Sequence, residues 1–215
     1  MPSMVNGDPF EEEPMTAALS LSELRDLTDR QDWTVDDLAS LPEDLRYELI
    51  DGRLILSPSP LPFHQFCVLR LSVALEENSP DEFFISFDQS VQIDSSNEPR
   101  PDVVLMRESG ADRTPVMAAD VLLAIEVISP ESSTRDRQDK LKRYAYAGIR
   151  DYWIVDPRGE RVTLTAFSLD RSSTYRQVVR TDGLVTIDRP WETTLDLPAW
   201  TKRRDRIRAA RRPDR

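Results

Sequence analysis

Cysteine is nearly absent from this chain: Cys67 stands alone in 215 residues. A single thiol excludes an internal disulfide and a cysteine-based zinc cluster. Placed on a helix, it reads as a small core hydrophobe. Histidine is as rare, with His64 the one example. No apolar stretch approaches the length of a membrane span, and the first residues lack the basic start and apolar run of a signal peptide. Together these absences predict a reducing, cytoplasmic setting. There is no internal repeat and no low-complexity tract. Positive charge is also in deficit: the formal net charge is -11 and the pI about 4.7. That argues against a generic nucleic-acid binder, because phosphate neutralisation dominates such affinity.

The charge is unevenly spread. Residues 202–215, KRRDRIRAARRPDR, are strongly basic, and residues 8–51 are dense in Asp and Glu. The basic end supplies either non-specific phosphate contacts or a solvated, fraying helix end. Hydrophobic residues make up 39% of the chain, enough for one core. The expected organisation is a disordered acidic segment at 1–17, one domain at 18–200 and a basic tail at 201–215.

What is present centres on VLLAIEVISP, residues 121–130. Val121 to Ile128 is almost unbroken apolar sequence rich in β-branched residues, the pattern of a strand buried on both faces. Glu126 interrupts it. A buried, unpaired carboxylate costs several kcal/mol in rough terms, so it needs a cation or a proton. A second acid, Asp102 in RPDVVLM, likewise precedes an apolar strand. Two carboxylates on neighbouring strands can hold a hard divalent cation through oxygen ligands.

The remaining elements frame this pair. Leucine spacing predicts a short helix at 20–30, and Thr34 is placed to cap another at 35–40. RYELIDGRLIL reads as a hairpin turning at Asp51-Gly52. By pattern alone its Glu48 is an exposed strand-edge residue. Pro62 starts a helix whose apolar stripe takes Phe66, Leu69, Val73, Cys67, Leu71 and Ala74, with His64 in its first turn as a polar cap or surface group. Strands follow at 83–87, 90–93 and 101–106, then a loop at 107–119. STRDRQDKLKRYAYAGI is an amphipathic helix capped by Ser133 or Thr134 and ended by Gly148. On it Lys140 and Tyr144 are neighbours four residues apart, while a solvated face is the ordinary fate of Lys140 and Lys142. DYWIVDP is another buried-type strand. RVTLTAF, TYRQVVR and LVTI read as antiparallel strands, and 190–198 as irregular chain anchored by Trp191 and Trp200.

This order predicts an α/β fold, a mixed β-sheet flanked by helices, with the acids converging at one end. The chemistry that uses such a pair is metal-assisted hydrolysis, typically of a phosphodiester. In RYELIDGRL, the His64 helix, RPDVVL, LAIEVISP and RDRQDKLKRYAYAGIRDYWIVDP, the sequence resembles the Uma family of restriction endonucleases, within the PD-(D/E)XK nuclease superfamily. The resemblance runs over residues 45–170. It implies a restriction-endonuclease-like fold and an endonuclease acting on DNA. It also implies Mg²⁺ or Mn²⁺ held by Asp102 and Glu126 with help from the Val127 carbonyl, and a possible homodimer. Glu48 matches the acid of the first motif, and His64 a histidine common in the family. The superfamily lysine should lie two residues after the glutamate, where this chain has Ile128. In relatives lacking it the lysine moves to the next helix, which points to Lys140, with Lys142 in reserve and Tyr144 as an accessory. The competing readings are a non-catalytic binding or regulatory module that keeps the fold, and a structural one pairing the acids with arginines such as Arg100 and Arg143.

Overall fold

A computed structural model describes residues 20–42, 45–130 and 135–210. Helix α1 (Leu21–Asp29) is capped by Ser20, whose hydroxyl accepts from the Glu23 amide. A 3-10 turn (Val35–Ser40) leads to the hairpin β1 (Tyr47–Ile50) and β2 (Arg53–Leu56). Then come α2 (Pro62–Glu76), β3 (Phe83–Phe87), the two-residue β4 (Val91–Gln92) and β5 (Val103–Arg107). After β6 (Val116–Met117) and β7 (Val121–Val127), a π-type turn (Arg135–Asp139) runs into α3 (Lys140–Tyr146). The chain continues through β8 (Asp151–Asp156), β9 (Thr163–Leu169), β10 (Tyr175–Thr181), β11 (Leu184–Ile187) and β12 (Thr193–Asp196) into α4 (Leu197–Ala209).

The main sheet has the order β10-β9-β8-β7-β5-β3. Strands β7 and β8 are parallel, and the other pairs in this sheet are antiparallel. The parallel pair requires a crossover, which α3 supplies. Strand alternation sorts the residues of the sheet onto two faces. Val103, Leu105, Leu123, Ile125, Val127 and Trp153 pack with Cys67 and Leu71 of α2 and Trp200 of α4. Val104, Met106, Ala124, Ile128, Tyr152 and Ile154 pack with Tyr144 and Ala145 of α3. Each fully buried Val or Leu stabilises by roughly 1.5–3 kcal/mol relative to exposure. Cys67 lies in the first of these cores, where burial pushes its thiol up to about 12, so it remains protonated. The α/β architecture is the mixed sheet with flanking helices expected from the sequence.

Several local expectations are corrected. On α2 the buried positions are Cys67, Val68, Leu71 and Leu75, while Leu69 and Val73 are exposed. Cys67 and Leu71 of the expected stripe are buried, and Phe66 and Ala74 pack partly buried against the same core, so the buried face is narrower than the stripe and leaves Leu69 and Val73 outside it. Asp102 is not inside its strand but immediately before β5. The 107–119 loop contains β6, which pairs with β4. Strand β11 is antiparallel as expected, and its partner β12 lies inside the segment expected to be irregular. The basic end continues α4 through Ala209, and the buried Arg204 donates to the carbonyls of Pro157, Gly159 and Glu160. The expected disordered segment at 1–17 and the caps at Ser133 and Thr134 lie outside the described residues.

Candidate functional site

The acids meet at the C-terminal end of β7. Val103 of β5 pairs with Ile125, so Asp102, one residue earlier, comes beside Glu126. Asp102 Oδ2 accepts the Val127 amide at 2.6 Å and faces His64 Nε2 at 3.2 Å. Pro62 at the start of α2 puts His64 in the first turn, which opens toward this end of the sheet. Glu126 points to the α3 face, 3% exposed. Its Oε1 accepts from Lys140 Nζ at 2.8 Å and from the Tyr144 hydroxyl at 2.9 Å.

Lys140 gathers three acids. Its Nζ lies 2.6 Å from Glu48 Oε1 and 3.5 Å from Asp136 Oδ1, besides Glu126. The same Glu48 Oε1 also accepts the Arg100 amide at 2.9 Å. The backbone route is explicit: β1 bridges to the segment before β5 through Leu49 and Glu98, which exchange amide bonds of 3.1 and 2.8 Å. That pairing covers Glu48 and leaves it 4% exposed, correcting its reading as a strand-edge residue. Glu48, His64, Asp102, Glu126, Val127 and Lys140 all line one cavity of about 550 Å³.

The electrostatics follow from burial and crowding. Burial pushes the Glu126 carboxyl well above its ordinary range; Lys140 opposes this, and Asp136, Asp102 and Glu48 reinforce it by repulsion. For Lys140 burial works against the ammonium, but Glu126, Glu48 and Asp136 outweigh it and hold its pKa well above the ordinary lysine value. Lys140 is therefore a fixed positive charge and a donor, not a base. Burial also opposes charge on His64, yet the hydrogen bond and charge of Asp102, with the Val127 backbone, raise it overall.

Lys142 is exposed and does not line the cavity, so the reserve candidate is not brought to the acids. Tyr144 is brought there, through Glu126. Ile128 is buried, its amide donating to Val155. Arg100 turns its side chain to Asp88, and Arg143 pairs with Asp51, so the pairing of Asp102 and Glu126 with these arginines is not what forms. Asp136 also joins the cluster, as its four-residue spacing to Lys140 allows, although no role at the site was expected for it.

Among the described residues no three His, Cys, Asp or Glu side chains form a ready-made metal cage. The donors nevertheless fit a hard cation. Asp102 and Glu126 offer oxygen ligands at the cavity, and the repulsion on Glu126 marks an excess of negative charge. A Mg²⁺ bound by one or two carboxylates keeps several waters and takes the rest of its shell from substrate phosphate.

The family described as "Uma2: Putative restriction endonuclease" matches residues 35–198. The chain belongs to the Uma2 family. Its fold is also similar to the crystal structure of a "putative nuclease belonging to DUF820" from Anabaena variabilis, with a TM-score of 0.57 and 18% identity. That match covers 78% of this chain and 98% of the other. No curated protein matches at the accepted significance. The site of this Uma2 protein thus sits in a nuclease fold, and its family supports a nuclease function. No helix among the described residues is long and apolar enough to cross a membrane.

Proposed function

We propose that this protein is a divalent-metal-dependent endonuclease that hydrolyses DNA phosphodiester bonds. Asp102 and Glu126, with the Val127 carbonyl, would hold Mg²⁺ or Mn²⁺. The observation that carries the reading is the position of Lys140: from α3 its ammonium reaches both Glu126 and Glu48, supplying the lysine that Ile128 cannot. When bound, the cation polarises a phosphoryl oxygen and lowers the pKa of a water.

The protein's own groups do the positioning. The Val127 amide and His64 fix one oxygen of Asp102. Lys140 and Tyr144 fix Oε1 of Glu126. Lys140 places a permanent charge where negative charge develops on the phosphoryl oxygens. Glu48 and Asp136 hold the ammonium in place. Many nucleases of this fold pair to cut both strands of a duplex, and the reading includes such a homodimer, checked by sedimentation.

The test is calorimetric titration of Mg²⁺ or Mn²⁺ into wild type and Asp102→Ala, repeated with an oligonucleotide, alongside cleavage of labelled DNA. Saturable binding and cleavage in wild type, both lost in Asp102→Ala while the thermal melt persists, is the expected result. A folded wild type that binds no cation even with DNA present would overturn it. Metal binding without cleavage of any DNA would favour the non-catalytic module, for which the net charge of -11 already speaks.

A further inference from the structure

The cavity that holds the acids has a second wall. There Arg46 and Arg100 converge on one carboxylate oxygen: Asp88 Oδ1 lies 2.7 Å from Arg46 Nη2 and 2.9 Å from Arg100 Nε. All three side chains line the same cavity as Asp102 and Glu126. The backbone fastens this wall to the site. The Asp88 amide donates to the Asp102 carbonyl at 3.1 Å, and the Arg100 amide donates to Glu48. Asp88 itself sits at a φ of 55°, in the left-handed region. That conformation is uncommon for a residue other than glycine and aims the carboxylate across the strand end.

Two guanidiniums share a single carboxylate, so this hydrogen-bonded group carries surplus positive charge. Arg46 Nε is buried and has no hydrogen-bond partner among the described residues, a donor whose acceptor is still to be explained. Stability does not explain the arrangement. Arg46 and Asp88 are each 40% exposed, and ion pairs that open to water contribute little. Substrate approach does. A polynucleotide entering a cavity walled by Glu48, Asp102 and Glu126 meets repulsion, and Lys140 is already engaged by carboxylates. The arginine pair is positive charge on that wall with a planar fork suited to phosphate oxygens.

We propose that Arg46 and Arg100 form a clamp for a backbone phosphate flanking the scissile one, and that Asp88 is a built-in anion which the incoming phosphate displaces. The inference rests on the nuclease reading above. Asp88 keeps the empty clamp closed and weakens binding by competition. Loss of its charge frees Arg46 for the nucleic acid and leaves Arg100 held by its bond from Nε to the Asp88 carbonyl at 3.0 Å.

The test is fluorescence anisotropy of a labelled DNA duplex in EDTA across a salt series, for wild type, Arg46→Gln and Asp88→Asn. Asparagine tolerates the left-handed backbone, so Asp88→Asn removes the charge without removing the turn. Arg46→Gln should weaken binding about three- to tenfold and reduce the slope of log K against log salt by about 0.9, the loss of one phosphate contact. Asp88→Asn should tighten binding several-fold. Melting curves close to wild type for both variants exclude misfolding as the cause. Wild-type binding and cleavage with both variants unchanged would overturn the clamp and leave the nuclease intact. A wild type that neither binds nor cleaves DNA would overturn both.

Discussion

Removing the Lys140 ammonium would leave Glu48, Glu126 and Asp136 facing one another without a buried counter-charge. Breaking a buried ion pair by deleting one partner costs roughly 3–5 kcal/mol. Lys140→Ala should therefore lower the melting temperature markedly and abolish cleavage. Bound Mg²⁺ should restore part of the lost stability, because a cation then answers the same carboxylates. Lys142→Ala should change neither, since that side chain is exposed. A larger kinetic loss in Lys142→Ala, measured on labelled DNA, would remove Lys140 from its assigned role. The same residue shows how far the sequence could be read. The four-residue spacing of Asp136, Lys140 and Tyr144 put them near one another, and the resemblance of RYELIDGRL to the family's first motif pointed to Glu48, but no periodicity stated that a distant hairpin would bury it against Lys140.

Two elements hold the site in register, and each offers a test. The hairpin turns at Asp51 and Gly52, with φ values of 51° and 69°. A Cβ on Gly52 would come within 2.9 Å of the Gln31 carbonyl oxygen, whereas one on Gly148, also at positive φ, meets nothing within 4 Å. Gly148→Ala should cost about 1–2 kcal/mol from backbone conformation alone. Gly52→Ala adds a clash with backbone, so a loss on the order of 3 kcal/mol is expected by chemical denaturation. The second element is the π-type turn, which Arg137 ties to Asp156 at the end of β8 at 2.7 Å. Burial raises the Asp156 carboxyl, but Arg158 and Arg137 outweigh it and bring it down to about 2. A carboxyl depressed in the folded state contributes stability above its unfolded pKa and loses it as pH falls through the folded one. Asp156→Asn should thus be less stable than wild type above about pH 4, with the difference closing toward pH 2 in acid unfolding.

Across the whole molecule, the basic end holds two kinds of charge, buried and exposed, that charge counting merges. Arg204 is buried and closes the loop after β8 by donating to three carbonyls. Lys202, Arg203 and Arg206 are exposed on the same helix. Deleting residues 202–215 would remove both kinds at once. Separate substitutions distinguish them. Arg204→Ala should destabilise by about 2–4 kcal/mol through unsatisfied carbonyls. Arg206→Gln should leave the melt unchanged and weaken DNA binding at low salt, read by anisotropy. No change in affinity or salt slope would reduce the exposed basic face to a solvated helix surface.

The sequence by itself determined the mixed sheet, the buried β7, the Asp51-Gly52 turn and the helices starting at Leu21 and Pro62. Each is written in local periodicity or in residues with few allowed conformations. It also singled out Asp102 and Glu126, because a carboxylate beside an apolar strand is conspicuous. Tertiary structure decided the rest. Glu48 is buried because the segment before β5 pairs with β1. The exposed Leu69 and Val73 follow from which side of α2 meets the sheet. β11 pairs with β12 rather than β10, a choice among strands of equal local preference. The Arg46–Asp88–Arg100 wall joins residues 42 and 12 positions apart. Contacts of that kind depend on how distant segments pack, and short-range pattern carries no record of them.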